Sequence, residues 1–239
     1  MLLFIVGTGL THPMGEQKLP AQILDLANWK LTLPVETAHA GSPDEIKQPE
    51  LNTFSDKKCF FTRGNAVVFR ATADGATTSG SNFPRSELRE MTADGKRPAG
   101  WSSDTGKHTL FIDQKVTHLP DARKHMVVGQ IHDATKYLIF FRLEDQKLFV
   151  VVNGGHRITL TENYKIGTRF TVKFEVENST TKCYYNSKFV YAWNGSFKGA
   201  YFKAGAYVQS SCKGKKQTPG ELCTAYGEVA LYNVWVKHE

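Results

Sequence analysis

The sequence is defined first by what is missing from it. No stretch of its 239 residues approaches the roughly 20 apolar residues that a membrane-crossing helix needs, so nothing in it reads as such a helix. It has four cysteines but no CxxC pair, which argues against a structural zinc site. It carries no internal repeat and no low-complexity segment, which excludes a repeat array. Helical periodicity is weak except around residues 20–26, which excludes a helix bundle. The opening run Met1 to Leu10 is apolar, but it is short and lacks a basic flank. Residues 1–20 therefore read as a trimmed signal or an N-terminal extension. With no composition break further on, residues 21–239 read as one domain.

What is present points to strands. Twenty glycines, fifteen phenylalanines and nine tyrosines favour strands and turns. Strand-like runs recur at residues 66–70, 86–91, 108–116, 126–132, 137–143, 147–152, 169–177, 188–193, 201–209 and 228–236, separated by Gly, Asn and Pro. That rhythm predicts an all-β sandwich or barrel. The net charge is +7, which suits a polyanionic partner: nucleic acid, anionic lipid or acidic polysaccharide. Cys212 and Cys223 bracket a Gly/Lys/Pro-rich stretch and are expected to form a bridge, leaving Cys59 and Cys183 free to pair with each other. Two polar loops, residues 74–84 and 211–221, border strand-like runs and could cover a cleft.

Three of the runs share an unusual face. Side chains alternate along a strand, so i, i+2 and i+4 lie together. Arg85, Glu87 and Arg89 form one row, Gln130 and His132 a second, and Tyr201, Lys203, Tyr207 and Gln209 a third, with Gly205 leaving a gap. Each row has apolar residues behind it. One such row alone is an ordinary solvated sheet face. Three rows rich in Arg, Lys, His and Tyr would, if adjacent, form a surface that grips carboxylates and hydroxyls. A glycoside hydrolase would need two carboxylates flanking the cut bond, and the rows offer only Glu87 between two arginines. A nucleic-acid module lacks any recognised stacking or helix motif here. A non-catalytic polysaccharide-binding module would use the same basic face without a His–Tyr pair.

The segments Arg85-Ser86-Glu87-Leu88-Arg89, Gln130-Ile131-His132 and Tyr201-Phe202-Lys203-Ala204-Gly205-Ala206-Tyr207-Val208-Gln209 resemble, in order, the signature motifs of the polysaccharide lyase family 7 alginate lyases. The segment from Asp25 to Pro34 is similar to that family's opening. The resemblance implies a β-jelly-roll sandwich of two antiparallel sheets with a concave cleft. It also implies endolytic β-elimination of alginate by a secreted, monomeric enzyme with no metal or organic cofactor and no nucleic-acid or membrane partner. Another polyuronate, such as glucuronan, is the nearest rival substrate.

The reaction removes a uronate C5 proton and expels O4. The carbanion forms beside a carboxylate, so the enzyme must offset that charge first. The resemblance implies that Arg85, Gln130, His132 and Tyr207 are catalytic. Arg85 and Gln130 would hold the carboxylate. Neutral His132 or ionised Tyr207 would take the proton, and Tyr207 would protonate O4. Glu87, Arg89, Lys203 and Gln209 fall to substrate binding, with Glu87 orienting Arg85 or Arg89. The resemblance also implies, through the isoleucine form of the Gln130-Ile131-His132 triplet, a lean toward guluronate-containing links.

Overall fold

The computed structural model describes residues 18–38 and 40–239. Most of the segment read as a signal remnant lies outside the described residues. In chain order the strands are β1 (Trp29–Thr32), β2 (Glu45–Ile46), β3 (Phe60–Arg63), β4 (Ala66–Thr72), β5 (Arg85–Glu90), β6 (Lys107–His118), β7 (His125–His132) and β8 (Tyr137–Glu144). They continue with β9 (Lys147–Val152), β10 (Arg157–Thr161), β11 (Arg169–Glu177), β12 (Thr180–Tyr185), β13 (Lys188–Asn194), β14 (Tyr201–Val208) and β15 (Tyr226–His238). Among the described residues there is no α-helix. The helical signal near Pro20 resolves into a single 3-10 turn, Pro20–Gln22, because Pro20 suits a first turn and no amphipathic stripe follows.

The strands form two antiparallel sheets. One has the order β10-β9-β8-β7-β14-β5-β1-β2 and the other β13-β12-β11-β6-β15-β4-β3. The core lies between them, built from alternate residues such as Leu31, Leu88, Ile131, Phe141 and Phe202 on one side and Phe69, Ile112, Phe174 and Val229 on the other. Phe141 and Phe174 stack across the gap with ring centroids 4.4 Å apart, tying the sheets face to face. Each such buried side chain contributes about 2 kcal/mol.

This topology makes β7, β14 and β5 consecutive in one sheet, although paired residues such as Arg85 and Tyr207 lie 207 − 85 = 122 positions apart in the sequence. The register sets Tyr201 beside His132 and Lys203 beside Gln130 on one flank of β14. On the other flank it sets Lys203 beside Arg89, Gly205 beside Glu87 and Tyr207 beside Arg85. The three polar rows therefore merge on the outer face of the eight-stranded sheet, while Phe202, Ala204 and Ala206 of β14 point into the core.

Cys212 and Cys223 are bonded, with Cα atoms 5.1 Å apart, as expected. Cys59 and Cys183 are not. Both are buried free thiols. Cys183 lies on β12 and Cys59 just before β3, five strand steps away across the sheet. At about 4.8 Å per step that separation is far beyond disulfide reach.

Candidate active site

The merged rows are organised around one carboxylate. Glu87 has 0% exposure. Its Oε1 accepts a hydrogen bond from Gln130 Nε2 at 2.6 Å. Its Oε2 lies 2.5 Å from Lys203 Nζ and accepts from Arg85 Nη1 at 3.1 Å. Burial pushes the Glu87 carboxyl up, but Lys203 and Arg85 and the bonds from Lys203 and Gln130 outweigh it, and the group is held below the usual carboxylate value. A carboxylate sealed beneath three donors has no surface to offer a sugar, so the structure sets Glu87 as their anchor. It engages Arg85, Lys203 and Gln130, and not Arg89.

The anchored groups are themselves nearly buried: Arg85 at 6%, Gln130 at 2% and Lys203 at 7%. Burial, then the Arg85 charge, push the Lys203 ammonium down to about 8. With Glu87 ionised, the Arg85–Glu87–Lys203 cluster carries a net single positive charge at neutral pH. Arg85 also stacks its guanidinium 3.8 Å from the Tyr207 ring centroid, and its buried Nε has no partner among the described residues. The guanidinium, charged and held in place by Glu87 and Tyr207, suits an incoming carboxylate.

His132 and Tyr207 flank this cluster from opposite ends of β14 and do not touch each other. His132 Nδ1 donates to the Asp133 carbonyl at 2.5 Å. That fixes the tautomer and leaves Nε2 free of any hydrogen bond among the described residues. Burial depresses the imidazole, the Asp133 carbonyl offsets part of this, and Lys203 adds to the depression. His132 is thus held neutral to lower pH than an ordinary histidine, as a base must be. Tyr207 is half-buried, and its hydroxyl lies 2.8 Å from Ser81 Oγ, in the loop between β4 and β5.

Arg89 stands at the His132 end. Its guanidinium covers the Tyr201 ring at 3.9 Å and donates to the Glu90 carbonyl at 2.5 Å. Tyr201 OH lies 3.3 Å from His132 Nδ1. Burial raises the Tyr201 phenol, so this ring stays protonated and packs between Arg89 and His132. Gln209 lies one residue beyond β14, and its buried Nε2 has no partner among the described residues. Gly205 answers to a backbone demand as well as to space. Its φ is +137°, and a Cβ there would sit 2.6 Å from Ser86 O and 2.9 Å from Glu87 Cα.

Sequence reasoning did not single out Ser81, because an irregular loop has no period to reveal a face. Nor did it reach the far side of the sheet, where Arg142 on β8 and Arg157 on β10 pair with Glu144. Those positions belong to no shared motif. The two polar loops border a shared cleft of about 300 Å³, with Thr77, Asn82, Lys213 and Lys215 in its lining, and the Cys212 N–H donates to the carbonyl of Ala73, just before the first loop. Among the described residues no group of His, Cys, Asp or Glu is arranged to hold a metal ion.

A family model described as alginate lyase matches residues 24–238. An alginate lyase of Klebsiella pneumoniae is 38% identical over 140 residues, covering 47% of this chain. That match spans 46%, about half, of the relative's length. The alginate lyase AlgAT5 of polysaccharide lyase family 7 superposes with a TM-score of 0.87 at 47% identity, covering 93% of this chain and 99% of that one. The alginate lyase of a Corynebacterium species gives 0.87 at 41% identity, with the same coverage. A family 7 alginate lyase, A1-II′, solved in complex with its substrate GGMG, gives 0.78 at 25% identity, covering 92% of this chain and 97% of that one.

Proposed function

The chain belongs to the alginate lyases of polysaccharide lyase family 7, and on that premise we propose that it cleaves alginate endolytically by β-elimination, including links that contain guluronate. The observation that carries this reading is the Glu87-anchored cluster. Arg85, Gln130 and Lys203 are held in place before substrate arrives, with net positive charge. Such preorganised donors stabilise the charge that grows on the uronate carboxylate as C5 loses its proton.

Two proton carriers at opposite ends suit both epimers of the polymer. In guluronate the C5 proton and O4 lie on opposite sides of the ring, so neutral His132 takes the proton at Nε2 and Tyr207 protonates O4. In mannuronate they lie on the same side, and Tyr207 serves both steps. Arg89, Lys203 and Gln209 contact neighbouring sugars. The enzyme acts as a monomer outside the cell, where the polymer is met and where the Cys212–Cys223 bridge persists.

The test is direct. Alginate mixed with the protein should develop the ultraviolet absorbance of a new C4=C5 double bond. Reducing ends without that absorbance would make the protein a hydrolase. Absorbance with glucuronan and none with alginate would move the activity to the rival polyuronate.

A further inference from the structure

Tyr207 is held from two sides. The Arg85 guanidinium stacked on its ring sets the ring plane, but stacking leaves the direction of the hydroxyl open. The second hold is Ser81, whose Oγ lies 2.8 Å from the Tyr207 oxygen. Ser81 is itself pinned by the backbone. Its Oγ accepts from the Phe83 N–H at 3.1 Å and can donate to the Phe83 carbonyl, also at 3.1 Å. The next residue, Pro84, accepts a hydrogen bond from Val208 N, so the loop is fastened to β14 beside Tyr207.

The Ser81 proton therefore has two acceptors within reach, the Phe83 carbonyl and the Tyr207 oxygen. A hydroxyl rotates freely between such partners. We propose that Ser81 is a positioning residue for the elimination, a rotor that matches either protonation state of Tyr207. This rests on the reading of Tyr207 as a proton carrier. When Tyr207 is a phenol pointing at Ser81, the Ser81 proton turns to the Phe83 carbonyl and Oγ accepts. When Tyr207 is a phenolate, the Ser81 proton turns back and donates to it.

The proton balance closes without passing through Ser81. On mannuronate, where Tyr207 serves both steps, the C5–H bond breaks and its proton goes to the Tyr207 oxygen. The electron pair left on C5 forms C4=C5, the C4–O4 bond breaks, and O4 takes the proton from Tyr207. While Tyr207 is a phenolate, Ser81 O–H donates to its oxygen, fixing its direction and lowering the charge it must bear before C5–H breaks; once Tyr207 holds the proton, the Ser81 proton turns to the Phe83 carbonyl.

The experiment compares Ser81→Ala, Ser81→Thr and Tyr207→Phe in steady-state cleavage of alginate. Loss of one hydrogen bond made to a developing or discharging anion predicts a kcat about tenfold lower in Ser81→Ala, with KM within about twofold of wild type. Ser81→Thr keeps the hydroxyl and should recover most of kcat, which a merely structural loop contact would not require. Wild-type kcat in Ser81→Ala, a change in KM alone, or a threonine variant as slow as the alanine one would overturn the role of Ser81. Wild-type turnover in Tyr207→Phe would instead overturn Tyr207 as the proton carrier, and Ser81 with it. An inactive Tyr207→Phe beside a fully active Ser81→Ala would sink the rotor alone.

Discussion

Glu87 Oε2 and Lys203 Nζ stand 2.5 Å apart, on neighbouring strands, with side chains only 1% and 8% exposed. A pair so sealed makes each member depend on the other, since removing one leaves a buried charge uncompensated. The pair also fixes Lys203 beside Gln130 and Arg85, which share the same carboxylate. Glu87→Gln should therefore lower stability by about 3 kcal/mol. It should also lower kcat/KM by about a hundredfold through loosened donors. Denaturant unfolding and alginate cleavage measure the two. A variant that unfolds early yet keeps full turnover would mean the anchor serves the fold alone.

Lys203 predicts a pH dependence in binding. Its ammonium is pushed down to about 8, so its charge is present below that pH and lost above it. As pH rises through that value the Arg85–Glu87–Lys203 cluster goes from net positive to neutral, and its attraction for a uronate carboxylate weakens. A bound carboxylate restores the proton, so the effect belongs to the free enzyme. KM for alginate should rise between about pH 7 and about pH 9 while kcat changes less. A KM independent of pH across that window would show that Lys203 does not face the substrate charge.

The two proposed proton carriers, His132 and Tyr207, are separable by substrate. His132→Ala should reduce kcat/KM on guluronate blocks about a hundredfold more than on mannuronate blocks, the scale of one general base. Tyr207→Phe should abolish both. Burial depresses His132, so its neutral, basic form persists to lower pH than in an ordinary histidine. The acid limb of guluronate cleavage should accordingly fall below the ordinary value of about 6.5. Equal losses for His132→Ala on both blocks would leave it as a carboxylate contact only.

Gly205 tests the backbone beneath the site. Alanine there would put a Cβ 2.6 Å from Ser86 O in a φ of +137°. Neither the strand backbone of β5 nor that φ yields cheaply, and a loss of at least about 2 kcal/mol is expected from the denaturation midpoint. An unchanged midpoint would mean that β14 and β5 can part without cost.

Several of these features were legible in the residues alone, and the reason is local. A period of two assigns Arg85, Glu87 and Arg89 to one face whatever the strand pairs with, and the same holds for Gln130 with His132 and for Tyr201, Lys203 and Tyr207. The bridge between Cys212 and Cys223 was legible too, because eleven positions of Gly- and Pro-containing loop return easily on themselves. A short run hid its nature: β3, only four residues long, carries too few alternating positions to announce a strand and was found only in the fold. What no local pattern contains is the order of strands. That β14 lies between β7 and β5 is settled by how two whole sheets bury their apolar faces against each other, and it joins Arg85 to Tyr207, 207 − 85 = 122 positions apart. The same long-range packing made Glu87 a sealed anchor rather than a sugar contact. It placed Cys59 and Cys183 near opposite ends of one sheet, and it brought Ser81, from a loop without periodicity, within 2.8 Å of Tyr207.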